Sequence, residues 1–95
     1  MTDRSFEEGL LIAASVLDDV CAGRPTEKMR ALFAAATMAS YLTVHPDHAD
    51  LTILDAAEGL DRIAAGRNLD LNLAGRRRAG HLADCVRLLA EGVHF

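Results

Sequence analysis

The sequence predicts an all-α protein, an antiparallel four-helix bundle that is expected to be dimeric, and three observations lead there. Apolar residues recur at three- and four-residue spacing along successive segments that end at Gly or Pro, while strand signals are missing. The connections are short, about three to seven residues, which favours up-and-down packing. Within the second segment, residues 31–44 (ALFAAATMASYLTV) carry no charge, in a chain where 25% of residues are charged.

The first helix is expected over residues 5–22. Ser5-Phe6-Glu7-Glu8 reads as a capping box, and Gly23 is a stop. Phe6, Leu10, Ala13, Ala14, Leu17 and Val20 then share one face. The second helix, 27–44, follows Arg24-Pro25 with Thr26 as its cap and ends before Pro46, because a residue preceding proline is biased out of the α region. Asp50 caps a third helix over 51–65, with Leu51, Leu54, Ala57, Leu60 and Ile63 or Ala64 as its stripe and Gly66 as an αL stop. Asp55, Glu58, Asp61 and Arg62 lie outside that stripe. A fourth helix spans 72–91: Asp70 and Asn72 both qualify as caps, Leu82, Val86, Leu89 and Val93 form the stripe, and Gly92 ends it. Alanines at 13, 14, 34, 35, 36, 39, 56 and 57 permit close backbone approach, so the first two helices are expected to form a tight pair. Nothing marks a second domain within residues 1–95.

A helix on the outside of a small bundle needs a polar face, and the second helix has only Thr37, Ser40 and Thr43 to supply one. Domains of this size bury only about 60 to 65% of their unfolded surface, which favours association. The expectation is a homodimer with Leu32, Ala35, Met38, Ala39, Tyr41 and Leu42 at its interface.

A net charge of −4 argues against general nucleic-acid affinity, which requires a cationic footprint. The uncharged run is shorter than the roughly 20 residues of a bilayer crossing, and the start MTDRSFEE is acidic where a secretory signal would be basic, so a cytoplasmic protein without membrane contact is expected. Nine arginines against one lysine, with seventeen alanines, fit a high-GC bacterial genome. Cys21 and Cys85 lie in separate helical patterns, as buried free thiols rather than a bridge.

Two short constellations could carry chemistry. Arg76-Arg77-Arg78-Ala79-Gly80-His81 has an Arg-x4-His spacing that resembles the signature of HEPN-domain ribonucleases. The resemblance implies an all-α dimer in which Arg76 and His81 meet across the interface, histidine as acid or base and arginine on the phosphate. The simpler reading is a solvated turn whose arginines pair with acids such as Asp61 or Asp70. Three cations in the opening turns of a helix oppose its macrodipole, however, so an acidic partner surface or an anion is expected at Arg76, Arg77 and Arg78.

The second constellation, His45-Pro46-Asp47-His48-Ala49-Asp50, offers potential metal ligands at a helix junction, although no other His or Cys is poised to complete a site. A polar turn is the expectation, with no metal and no cofactor. His45 to Leu51 also resembles a segment of the colicin-DNase immunity proteins, small acidic four-helix inhibitors. Where that family continues with a pair of tyrosines this chain has Thr52, Ile53 and Leu54, so the family's binding residues have no counterpart. His81 is not followed by the Lys-Gly of phosphotransfer helices and is expected to be partly buried. The functional expectation is therefore a regulator, adaptor or inhibitor acting by protein contact, with a ribonuclease or a metal- or small-ligand-binding module as alternatives.

Overall fold

A computed structural model describes residues 4–66 and 73–92, with side chains from Phe6 to Gly66 and from Gly75 to Gly92. It is all-helical among these residues: α1 is Arg4–Ala22, α2 Lys28–Val44, α3 Leu51–Ala64 and α4 Leu73–Ala90, with a one-turn 3-10 helix at Pro46–His48. The four helices pack together as in a bundle. None of those described is long and apolar enough to cross a membrane.

Local sequence accounts for most helix ends. Asp50 caps α3, its Oδ1 accepting from the Ile53 amide at 2.9 Å, and Gly66, at φ +74°, takes the left-handed turn that stops it. Gly23 ends α1 in the same way at φ +73°. At α2 the expected cap is displaced by one residue. The first i−4 bond runs from Ala31 N to Glu27 O, so Glu27 is the N-cap and Thr26 lies outside; the Glu27 side chain makes no capping bond, and its negative charge complements the helix dipole instead. The Ser5 side chain, Asp70, Asn72 and Val93 lie outside the described residues.

The core is built from Leu10, Ala13, Ala14, Val16 and Leu17 of α1, Ala31, Ala34, Met38 and Tyr41 of α2, Ile53, Ala56 and Leu60 of α3, and Leu82, Ala83, Val86 and Leu89 of α4. The α3 stripe is corrected by this. Ile53, Ala56, Leu60 and Ala64 point inward, while Leu51 and Leu54 are 82% and 45% exposed. The two alternatives differ by rotation of one helix about its axis.

Close approach uses glycine as well as alanine. A Cβ on Gly9 of α1 would collide with Thr37 Cγ2 and Oγ1 of α2 and stand 2.8 Å from Thr37 Cβ, so the two helices touch there with no room for a methyl group. On the other flank, a Cβ on Gly80 of α4 would stand 2.9 Å from Cys21 Sγ. The expected α1–α2 pairing is present, but α1 packs most extensively against α4. Asp19 joins the α1–α2 corner, holding Arg24 at 3.0 Å and Arg30 at 3.3 Å, and Arg30 also donates to Ser15 Oγ at 2.6 Å. Arg87 bridges α4 to Asp18 of α1.

Candidate functional site

Two surfaces of this fold can take part in recognition: the outer side of α2 and the N-terminal half of α4. With Ala31, Ala34, Met38 and Tyr41 inward, the 100° rotation per residue sends Met29, Leu32, Phe33, Ala36, Ser40, Thr43 and Val44 outward. Met29 is 68% exposed, Val44 57%, Phe33 50% and Leu32 42%. Among the described residues, α2 is covered by its own chain on one side only, and its solvent side from Met29 to Val44 carries no charge, with Ser40 and Thr43 as its polar groups.

The six residues expected at a helix-2 interface divide accordingly. Leu32 and Ala39 are exposed, Ala35 and Leu42 are half-buried, and Met38 and Tyr41 belong to the core of the chain itself. Met38 and Tyr41 are therefore withdrawn from the outer face, where Met29, Phe33 and Val44 take their place. A helical wheel drawn through the run would have found Phe33; Met29 and Val44 sit at its margins, where the search for an uncharged stretch loses its signal.

At the start of α4, Arg76, Arg77 and Arg78 are all exposed. Arg78 pairs with Asp55 of α3 at 2.8 Å, the kind of acid partner expected, although the partner is Asp55 and not Asp61. The Arg76 guanidinium lies over the end of α1, its carbon 3.2 Å from where a Cβ on Gly23 would stand. Helix C-termini attract cations, so α1 supplies compensation for a charge that the start of α4 opposes. His81 is exposed, not partly buried as expected, and its Nε2 is 3.7 Å from Cys85 Sγ. On α4, Arg76 and His81 are five residues apart and point about 140° away from each other. Within one chain they do not converge. Cys21 and Cys85 are free and half-buried.

The His45–Asp50 turn is folded against α2. The Tyr41 hydroxyl lies 2.5 Å from His48 Nδ1, the His45 and His48 rings stack with centroids 5.0 Å apart, and Phe6 of α1 meets Tyr41 edge-on at 5.5 Å. Burial raises the Tyr41 pKa above its ordinary value of 10.0, and the negative charge of Asp47 adds to the effect. This is an aromatic lock on the corner between α2 and α3. Although the two histidines are close, no group of three potential ligands suited to a metal ion occurs among the described residues. Sequence reading singled out both histidines but missed their packing beside Tyr41 and the edge-on contact of His45 with Phe6, a residue some forty positions away.

No family model, no characterised protein and no solved structure matches the chain.

Proposed function

We propose that this is a small cytoplasmic interaction protein, an antiparallel four-helix bundle that pairs with a second copy of itself through the outer side of α2 and acts by protein contact. The observation that carries the reading is the charge-free outer face from Met29 to Val44, with four large apolar residues substantially exposed. Its shape suits self-pairing. Small residues, Ala36, Ala39 and Ser40, occupy the middle, and Met29, Leu32, Phe33 and Val44 flank them. A two-fold axis through the middle of an antiparallel pair brings Phe33 of one copy against the small Ser40 of the other and sets Met29 and Val44 side by side as an apolar contact at each end, with no charge to desolvate. A few hundred Å2 per chain at about 25 cal/mol per Å2 is worth on the order of 5 to 10 kcal/mol before the cost of association.

Light scattering at micromolar concentration tests this: a mass near twice 10.2 kDa is expected. Phe33→Asp should return the protein to the monomer mass with its helicity kept, because Phe33 is outside the core. A wild-type mass of one chain would refute self-pairing.

Exposure of both Arg76 and His81 supports a second reading, the HEPN-like ribonuclease, in which the two residues meet between chains. RNA cleavage by the wild type that is lost in His81→Ala would favour it over a purely non-enzymatic role.

A further inference from the structure

We propose that the cleft between α1, α3 and α4 is a binding site for a small uncharged apolar molecule. The cleft has a volume of about 310 Å3, and its floor is apolar, formed by Leu17, Ile63 and Leu82. That is at the lower end of the range for small-molecule sites and fits one fused ring system or a short hydrocarbon chain.

Gly59 opens it. A glycine inside a helix weakens the helix relative to alanine, so it is informative where packing does not require it. Gly9 is required, because a Cβ would strike Thr37, and Gly80 is favoured by a close neighbour, because a Cβ would press on Cys21 Sγ. A Cβ on Gly59 meets nothing within 4 Å among the described residues. No packing against those residues calls for a bare position there, whereas the cleft gains space.

The rim selects for lack of charge. Asp55 of α3 and Arg78 of α4 pair at 2.8 Å, and Glu58 pairs with Arg62 at 2.7 Å along α3. Two cations and two anions are matched among themselves. Each arginine already faces a carboxylate, so an anionic ligand would meet the repulsion of Asp55 or Glu58 along with the attraction of the arginine, while a neutral apolar one gains from displacing water from the floor.

Two fluorophores with the same aromatic body test this: neutral phenylnaphthylamine, and anilinonaphthalene sulfonate, which adds one negative charge. The neutral dye should bind one per chain with a blue-shifted rise in fluorescence, and the sulfonate at least tenfold more weakly. Gly59→Leu should abolish neutral-dye binding with helicity retained, and Phe33→Ser on the outer face of α2 should leave it unchanged. Asp55→Ala, which removes the carboxylate facing Arg78, should raise sulfonate affinity at least tenfold relative to that of the neutral dye. Equal affinity for the two dyes in the wild type would overturn the proposal, as would binding that survives Gly59→Leu, binding lost with Phe33→Ser, or no response of the sulfonate to Asp55→Ala.

Discussion

Replacing Gly9, Gly59 or Gly80 by alanine probes the packing of this fold with one methyl group at a time. Every such change gains about 0.5 to 1 kcal/mol from reduced chain entropy and better helix propensity, and what differs is the space the methyl enters. At Gly59 nothing among the described residues lies within 4 Å, so the whole gain should appear as stability, a rise of about 2 to 8 °C in Tm for a domain of this size. At Gly80 the methyl meets Cys21 Sγ at 2.9 Å, the end of a side chain that can rotate; the gain is offset, and the variant should lie within about 0.5 kcal/mol of wild type. Gly9 is the severe case. The clash is with a β-branched side chain whose hydroxyl is held at 2.9 Å by the Phe33 carbonyl, and with Thr37 Cβ at 2.8 Å, so α1 and α2 must move apart. Overpacking of this kind costs about 1 to 3 kcal/mol and outweighs the propensity gain. The order of stability should be Gly59→Ala above wild type and Gly80→Ala, with Gly9→Ala lowest, and Thr37→Ala should recover part of the Gly9→Ala loss. Urea unfolding followed by circular dichroism at one fixed protein concentration measures this, since pairing makes stability depend on concentration. A Gly9→Ala protein as stable as Gly59→Ala would show that α1 and α2 do not meet at Thr37.

Two further outcomes follow from single side chains. Tyr41 is the only tyrosine and the chain has no tryptophan, so tyrosinate absorbance reports this one group; it should ionise above pH 10.0 in the folded state. Because the folded pKa is raised, the stability contributed by neutral Tyr41 is intact below the unfolded value, falls as pH rises beyond it until the folded phenol ionises, and this slope should vanish in Tyr41→Phe. Ionisation at or below the ordinary value in the folded protein would contradict the burial of the ring. Asp19→Ala should destabilise by about 1 to 2 kcal/mol, because a largely buried carboxylate holds both Arg24 and Arg30, whereas Arg78→Ala should cost less than about 1 kcal/mol because both members of its pair are half-exposed; equal losses in the two unfolding curves would remove the distinction.

The helical elements were legible in the sequence because their signals are local. Asp50 and Gly66 mark the two ends of α3, each by chemistry that a single turn decides, and the wheel of α1 correctly placed Leu10, Ala13, Ala14 and Leu17 inward. Where two stripes compete, local pattern fails: α3 offers Leu51 and Leu54 or Ile53 and Ala56, and the choice depends on the shape of α2 and α4. The same reason explains Met38 and Tyr41. Both lie in the uncharged run, but which side of α2 faces the chain is set by contact with Gly9 and Phe6 of α1, residues some thirty positions away. Long-range contact also determines the Arg78–Asp55 pair and the cleft beside it, neither of which has a spacing that can be read along the chain.

The arginine cluster shows how tertiary placement changes the meaning of a local signal. Taken along α4 alone, three cations near a helix start are misplaced by several tenths of a kcal/mol and call for an external anion. In the fold, the end of α1 comes beside that start, so the Arg76 guanidinium sits at a helix C-terminus, where a cation is favoured, and Arg78 reaches Asp55 on α3. Two of the three charges thereby serve to tie α4 to its neighbours. The demand for an outside anion is correspondingly smaller, and it falls chiefly on exposed Arg77. The outer face of α2 has no such internal answer, since an apolar surface is compensated only by covering it. That asymmetry is why self-pairing through α2, and not docking of an acidic partner on α4, stands as the proposed mode of action.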